Sequence, residues 1–290
     1  MHGEYLLSVS LADERPPEKC WGLLLPAPPS TGDQRHRSVK VSEGWQTQQL
    51  VARGGIQGAV LASSPSGNYS APIEFEIELR QASLIKEHFF ERRGRSTDPQ
   101  ADARQVFADL DLPNNATDAE KLRKIVDCIS QKYDYGHDFR TDLPLTCDRL
   151  RGNCLDINAA LIRLLRVAGI PHAYYIGFFF EKNKSIGGRH CWVSTLIDGR
   201  QEDWDIAHHL RQDAIQVSSS LNPLPGIRFA MSTGWDLIFD LPFGTFEVPH
   251  LATPRWLLSD GTAMDCPVKV SYKRRGSTEL LSSELSEVSN

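Results

Sequence analysis

The chain has 290 residues, 40% of them apolar and 24% charged, an ordinary globular composition that excludes collagen-like, low-complexity and wholly disordered chains. Its formal net charge of −5 and pI near 6.0 argue against a dominant phosphate-binding surface, so nucleic acid is not expected as a partner. At this length a large core can be buried without covalent staples.

The first residues carry neither a basic start nor a long apolar run, and the longest apolar stretch, around 173–180, is far short of a bilayer span. The expectation is a soluble, cytoplasmic protein with no membrane partner. Residues 1–84 read as strands. Residues 5–11 are partly alternating. Residues 21–25 are apolar and run into Pro26-Ala27-Pro28-Pro29, which is expected to end that strand. Shorter runs follow at 38–41, 49–52 and 58–61, and 73–79 alternates cleanly. Clusters of Gly, Pro, Ser and Asn separate most of them, so 1–84 reads as an antiparallel, β-sandwich-like domain.

The pattern changes after residue 84. A short helix is predicted over 99–111. Thr117 followed three residues later by Glu120 has the capping-box form, and Leu122, Ile125, Val126, Ile129 and Tyr133 follow at helical spacing. After Gly152-Asn153 a second helix is predicted, with Ile157, Leu161, Leu164, Leu165 and Ala168 on one face and Gly169 with Pro171 ending it. Strands are expected at 173–180 and 192–197, with a short one near Trp204. Helices followed by a sheet make 85–215 an α+β core, with helices packed on an antiparallel sheet. Residues 216–275 read as short strands and loops packed on that core, and 276–290 as a disordered tail.

Cys154 begins the second helix, where unpaired amides and the positive dipole end favour an anion, which lowers a thiol's pKa. Gly152 and Asn153 let the chain approach that point tightly. A cysteine there needs a partner base. Among nine histidines, His190 stands at the start of a strand, after the loop-like stretch 181–189. Alternation sends His190 and Cys191 to opposite faces, so Cys191 is not expected to be the activated thiol. After the turn Asp198-Gly199 the chain returns through Asp203-Trp204-Asp205, and either aspartate could hold the imidazole. The six cysteines lack a short repeated spacing and read as reduced thiols.

Gly152-Asn153-Cys154-Leu155-Asp156, the string from Leu164 to Pro171, Gly177-Phe178, His190-Cys191-Trp192-Val193 and the late Trp204-Asp205 together resemble the transglutaminase-like superfamily. The resemblance covers about residues 85–210. The earlier Leu25-Pro26-Ala27-Pro28 with Gln34 is similar to the β-domain that precedes this core in many bacterial members. It implies an α+β, papain-like core with a Cys-His-Asp triad. By resemblance Cys154 is the nucleophile, His190 the base and Asp205 the orienter, preferred over Asp203 because the family's acid follows an aromatic strand residue. Tyr135 or Tyr133 resembles an upstream aromatic motif near the site. Tyr135, Asn153 and Trp192 are therefore expected to support the site, and the Cys154 amide to serve an oxyanion. His172-Ala173, Ser194 and Ile206-Ala207 depart from the usual pattern, which bears on substrate choice more than on chemistry.

The implied reaction is acyl transfer through a Cys154 thioester. The acyl donor is a peptide, an amide or a thioester, and the acceptor is water or an amine. The alternatives are an amide-forming acyltransferase acting on a carrier-protein thioester, and a catalytically silent interaction module. His208-His209 reads as surface or loop histidines, and no role attaches to His172 or His137. With no CxxC and no HExxH, neither a metal nor another cofactor is expected.

Overall fold

Where every second side chain is apolar, a strand can bury one face. β1 (Gly3–Leu11) buries Tyr5, Leu7, Val9 and Leu11, and β6 (Ile73–Leu79) buries Ile73, Phe75, Ile77 and Leu79. The structure is a computed structural model that describes residues 3–12, 15–80, 101–137, 144–182, 187–213, 216–219, 222–241, 243–276 and 281–284. The chain divides into two compact units. One comprises Met1–Ser83, Ile176–Arg189 and Gly226–Ser289, and the other Leu84–Tyr175 with His190–Pro225. Among the described residues, mostly antiparallel strands with four helices make the fold α+β, as expected.

In the first unit, β1 lies between β6 and β17 (Val268–Arg274). With β3 (Gln34–Lys40) and β18 (Leu281–Glu284) these form a sheet in the order β18-β17-β1-β6-β3. A second sheet runs in the order β16-β15-β2-β5-β4, built from β2 (Cys20–Ala27), β4 (Gln46–Val51), β5 (Gly58–Ser63), β15 (Arg255–Leu258) and β16 (Ala263–Asp265). Strands of the segment 216–275, expected to pack on the 85–215 core, instead pair with N-terminal strands in both sheets. Part of the expected tail pairs as β18, and 277–280 and 285–290 lie outside the described residues. As expected, the run Pro26-Ala27-Pro28-Pro29 ends β2, which stops at Ala27 with Pro26 still inside the strand. Pro26 pairs with Ala59 of β5 beyond the point where β15 stops at Leu24, so its missing N–H deprives no neighbour.

Two more strands, β13 (Leu237–Leu241) and β14 (Gly244–Val248), form a hairpin. Its Phe239 and Phe246 pack with Leu24, Leu251 and Leu257 in one core cluster. The strand β12 (Gly226–Thr233) is clamped by two buried glutamines. Gln34 exchanges hydrogen bonds with both backbone groups of Ala230, at 2.8 and 2.9 Å, and Gln57 Oε1 accepts the Thr233 N–H at 2.7 Å. Gly177, in β9 (His172–Glu181), has no room for a side chain: a Cβ there would stand 1.9 Å from the Phe229 carbonyl oxygen.

The second unit carries the helices α1 (Ala101–Ala108), α2 (Asp118–Lys132), α3 (Cys154–Ala168) and α4 (Ile206–Arg211). The predicted capping box of α2 forms, with Thr117 and Glu120 each accepting the other's backbone N–H. α3 ends as expected at Gly169, whose φ of 72° is left-handed. Ile125, Val126 and Ile129 of α2 are buried with Ile157, Leu161, Leu164 and Leu165 of α3, and the two helices pack together. The ion pair Arg163–Asp102 joins α3 to α1. Two short strands, β7 (Tyr133–Tyr135) and β8 (Leu150–Gly152), pair in parallel. In β10 (Gly187–Ile197), residues 193–197 pair antiparallel with β11 (Arg200–Trp204). Among the described residues no helix is long and apolar enough to cross a membrane.

Candidate active site

The site is built at the first residue of α3. Asn153 is the N-cap, and its side chain accepts the Leu155 N–H at 2.8 Å. Asp156 reaches back to the Asn153 N–H at 3.0 Å, closing a capping box. Gly152 makes room for that carboxylate, since a Cβ there would lie 2.6 Å from Asp156 Cβ. Cys154 follows as the first helical residue, half-buried. β7 brings Tyr135 beside Gly152, with the Arg211 guanidinium 5.4 Å from the centre of the Tyr135 ring. Burial first, and the nearby Cys154 second, push the Tyr135 phenol pKa up.

The expected histidine and acid arrive at this point. The β10 strand places His190, 5% exposed, against Asp205, which is fully buried at the N-cap of α4. His190 Nε2 donates to Asp205 Oδ2 at 2.9 Å, leaving the opposite ring nitrogen for Cys154, with which His190 is hydrogen-bonded. Asp205, not Asp203, holds the imidazole. Asp203 instead accepts hydrogen bonds from Ser194 and Gln201. Trp192, two residues along the same face of β10, lies 6.2 Å from the His190 ring. Tyr133, the alternative to Tyr135, is buried on β7.

Charge is distributed as an ion pair. Burial alone would lower the His190 pKa, but the Asp205 carboxylate and the Cys154 thiolate together raise it to about 9. The Cys154 pKa lies well below its usual value, lowered first by a hydrogen bond from Cys191 and then by His190, against the cost of burial. Asp205 is held far below the usual carboxylate range by His190 and His208 despite its burial.

Several participants had no local signal in the sequence. Cys191 does lie apart from the His190 face, as alternation requires, yet its thiol is hydrogen-bonded to Cys154. Burial and the adjacent thiolate push the Cys191 pKa well above its usual value, so it is the donor. Asn158, one turn along α3, donates to the Cys154 carbonyl at 2.8 Å and the Cys191 carbonyl at 3.0 Å, tying helix to strand. Most consequential is α4, for which no element was predicted. It buries both histidines expected as surface or loop residues, His208 at 2% and His209 at 3% exposure. The pattern in 205–211 is too short for periodicity to reveal, although Asp205 three residues before His208 is an N-cap signal.

His190, Asp205 and His208 place potential metal-binding atoms within 4.8 Å of one another. The two imidazoles are parallel, however, with centroids 3.8 Å apart and 2° between planes, so their lone pairs do not converge on one ion. His190 instead hydrogen-bonds the carboxylate, and His208 Nδ1 lies 3.1 Å from it.

All of Cys154, His190 and Asp205 fall in a segment with a recognisable relative. Residues 108–205 match the transglutaminase-like superfamily. The resemblance read from the sequence thus holds over this core. Among solved structures, the chain is similar to a candidate cysteine protease from Cytophaga hutchinsonii, with 13% identity, a TM-score of 0.46, and coverage of 94% of this chain and 98% of that one. It is also similar to a candidate protease from Parabacteroides distasonis, with 12% identity, a TM-score of 0.27, and coverage of 67% and 42% respectively. No curated protein matches the chain.

Proposed function

We propose that this chain is a thiol-dependent acyl-transfer enzyme, with Cys154 as nucleophile, His190 as base and then acid, and Asp205 as the residue that orients His190. The observation that carries the reading is the unbroken hydrogen-bonded line from Asp205 Oδ2 through the His190 ring to the Cys154 sulfur at a capped helix start. The transglutaminase-like match over that segment supports it.

The chemistry follows from these parts. The Cys154 thiolate attacks an acyl carbonyl carbon, and the carbonyl electrons move onto oxygen, where the Cys154 amide is the candidate donor. On collapse the bond to the leaving amine breaks, and the ring N–H of His190 that faces Cys154 gives that amine its proton. A thioester remains. Water or a second amine then attacks it, His190 takes the incoming proton, and the thiolate leaves. Asp205 stays ionised throughout and holds the ring in one tautomer. Peptides, amides and carrier-bound thioesters all present the required carbon.

Iodoacetamide labelling with peptide mapping tests the reading. At neutral pH, Cys154 reacts at least about tenfold faster than the exposed Cys147, and His190→Ala removes the advantage. Uniform slow labelling would instead leave a silent interaction module. Intact-mass measurement after incubation with a peptide amide or a carrier thioester identifies the donor by the mass of the trapped acyl group.

A further inference from the structure

Asp205 is shared by two imidazoles. His208 Nδ1 lies 3.1 Å from the same Oδ2 that holds His190, and the His208 backbone N–H reaches the other carboxylate oxygen at 3.2 Å. The His208 ring lies flat on the His190 ring. Its tautomer is fixed from outside. Asn222 Oδ1 accepts the Leu224 N–H at 3.0 Å, which sets the oxygen toward His208, 2.8 Å from Nδ1. Nδ1 therefore carries the hydrogen, which is shared between Asn222 Oδ1 at 2.8 Å and Asp205 Oδ2 at 3.1 Å. His208 lies beyond the segment that matches the superfamily.

We propose that His208 is a positioning residue: a neutral, buried imidazole that clamps Asp205 and the plane of the His190 ring, and so keeps the pair's single positive charge on His190, beside Cys154. This rests on the Cys154–His190–Asp205 reading above. The neighbouring groups agree with it. His190 on β10 repels a second charge, Asp205 at the start of α4 neutralises one, and Asn222 offers only an acceptor. Packed on α4 are α3, which carries Cys154, β7, whose Tyr135 sits under Arg211, and α2. Burial holds the His208 pKa below its ordinary value.

Two variants separate its two contacts. His208→Gln keeps a donor for Asp205 and loses the flat ring, whereas His208→Phe keeps a ring and loses the donor. The readout is the rate of Cys154 alkylation against pH, which a purely structural role would not move in the molecules that remain folded. Both variants shift the profile to higher pH. At pH 7 the rate falls by on the order of tenfold, the equivalent of one pKa unit, and further for Phe. An unchanged profile in both, with Cys154 fast in the wild type, overturns the proposal. A wild-type Cys154 no faster than Cys147 overturns the underlying reading instead. Should neither variant fold, nitrogen-15 NMR of the wild-type imidazoles decides. It shows His208 neutral with hydrogen on Nδ1 while His190 is charged; the reverse distribution overturns the proposal.

Discussion

A thiol attacks only as the thiolate, and three neighbours hold Cys154 in that form. The amides at the start of α3 present their positive ends, His190 supplies a charge, and the Cys191 thiol donates a hydrogen bond. The third is open to a direct test. Cys191→Ala removes one donor while leaving His190 in place, so the midpoint of Cys154 alkylation against pH rises. A shift of about one unit would equal tenfold in thiolate at a pH below both midpoints. An unmoved midpoint would make Cys191 core filler only. Cys154 and His190 were legible because each sits at a boundary that local pattern marks, a helix start and a strand beside a loop. Cys191 and Asn158 were not, because a buried residue's partner across 33 positions leaves no trace in its own neighbourhood.

At the scale of elements, α3 does more than present the Cys154 sulfur. Its capping box fixes where the helix begins, and so where the sulfur stands. Asp156→Ala removes the reciprocal half of the box at a cost of about 1 kcal/mol, lowers the melting temperature by several degrees, and slows Cys154 alkylation. Calorimetry and labelling on one sample check both; an unchanged labelling rate beside a lower melting temperature would confine the cap to stability. The α4 helix does the corresponding work for the acid. Asp205 caps it, and a capping carboxylate already receiving the His208 backbone N–H is aimed before any imidazole docks. The strand β10 contributes rigidity: it carries His190 within a ladder-forming element, as expected, and begins three residues earlier, at Gly187.

For the whole molecule, titration sets a window of stability. The folded-state pKa of His190, about 9, is raised above the ordinary 6.5, so its contribution is complete below 6.5 and lost as pH rises through 9. Asp205 is depressed, so its contribution is present above 3.8 and lost as pH falls. His250 is lowered to about 4 by burial and by nearby arginines, so stability falls as pH drops from 6.5 toward 4 and the ring must charge. Thermal melting across pH should therefore peak near 6.5, falling below it as His250 charges and above it as His190 loses its proton. A melting temperature still climbing below pH 6 would contradict these assignments. The chain ends also act at this scale, since β17 flanks β1 and β15 flanks β2.

The sequence by itself determined the α+β class, the strand periods of β1 and β6, the bounds of α2 and α3 and the boundary positions of Cys154 and His190. These depend on spacing and on residues within a turn or two of one another. Asp205 was preferred over Asp203 by resemblance, and the structure sets it on the imidazole; tertiary structure alone brought Cys191 and Asn158 to the sulfur and buried His208 on His190. It also joined the C-terminal strands to N-terminal partners. Each of these is a pairing between distant segments, selected by which surfaces pack and which buried polar groups must be satisfied, and neither constraint is visible until the chain has folded.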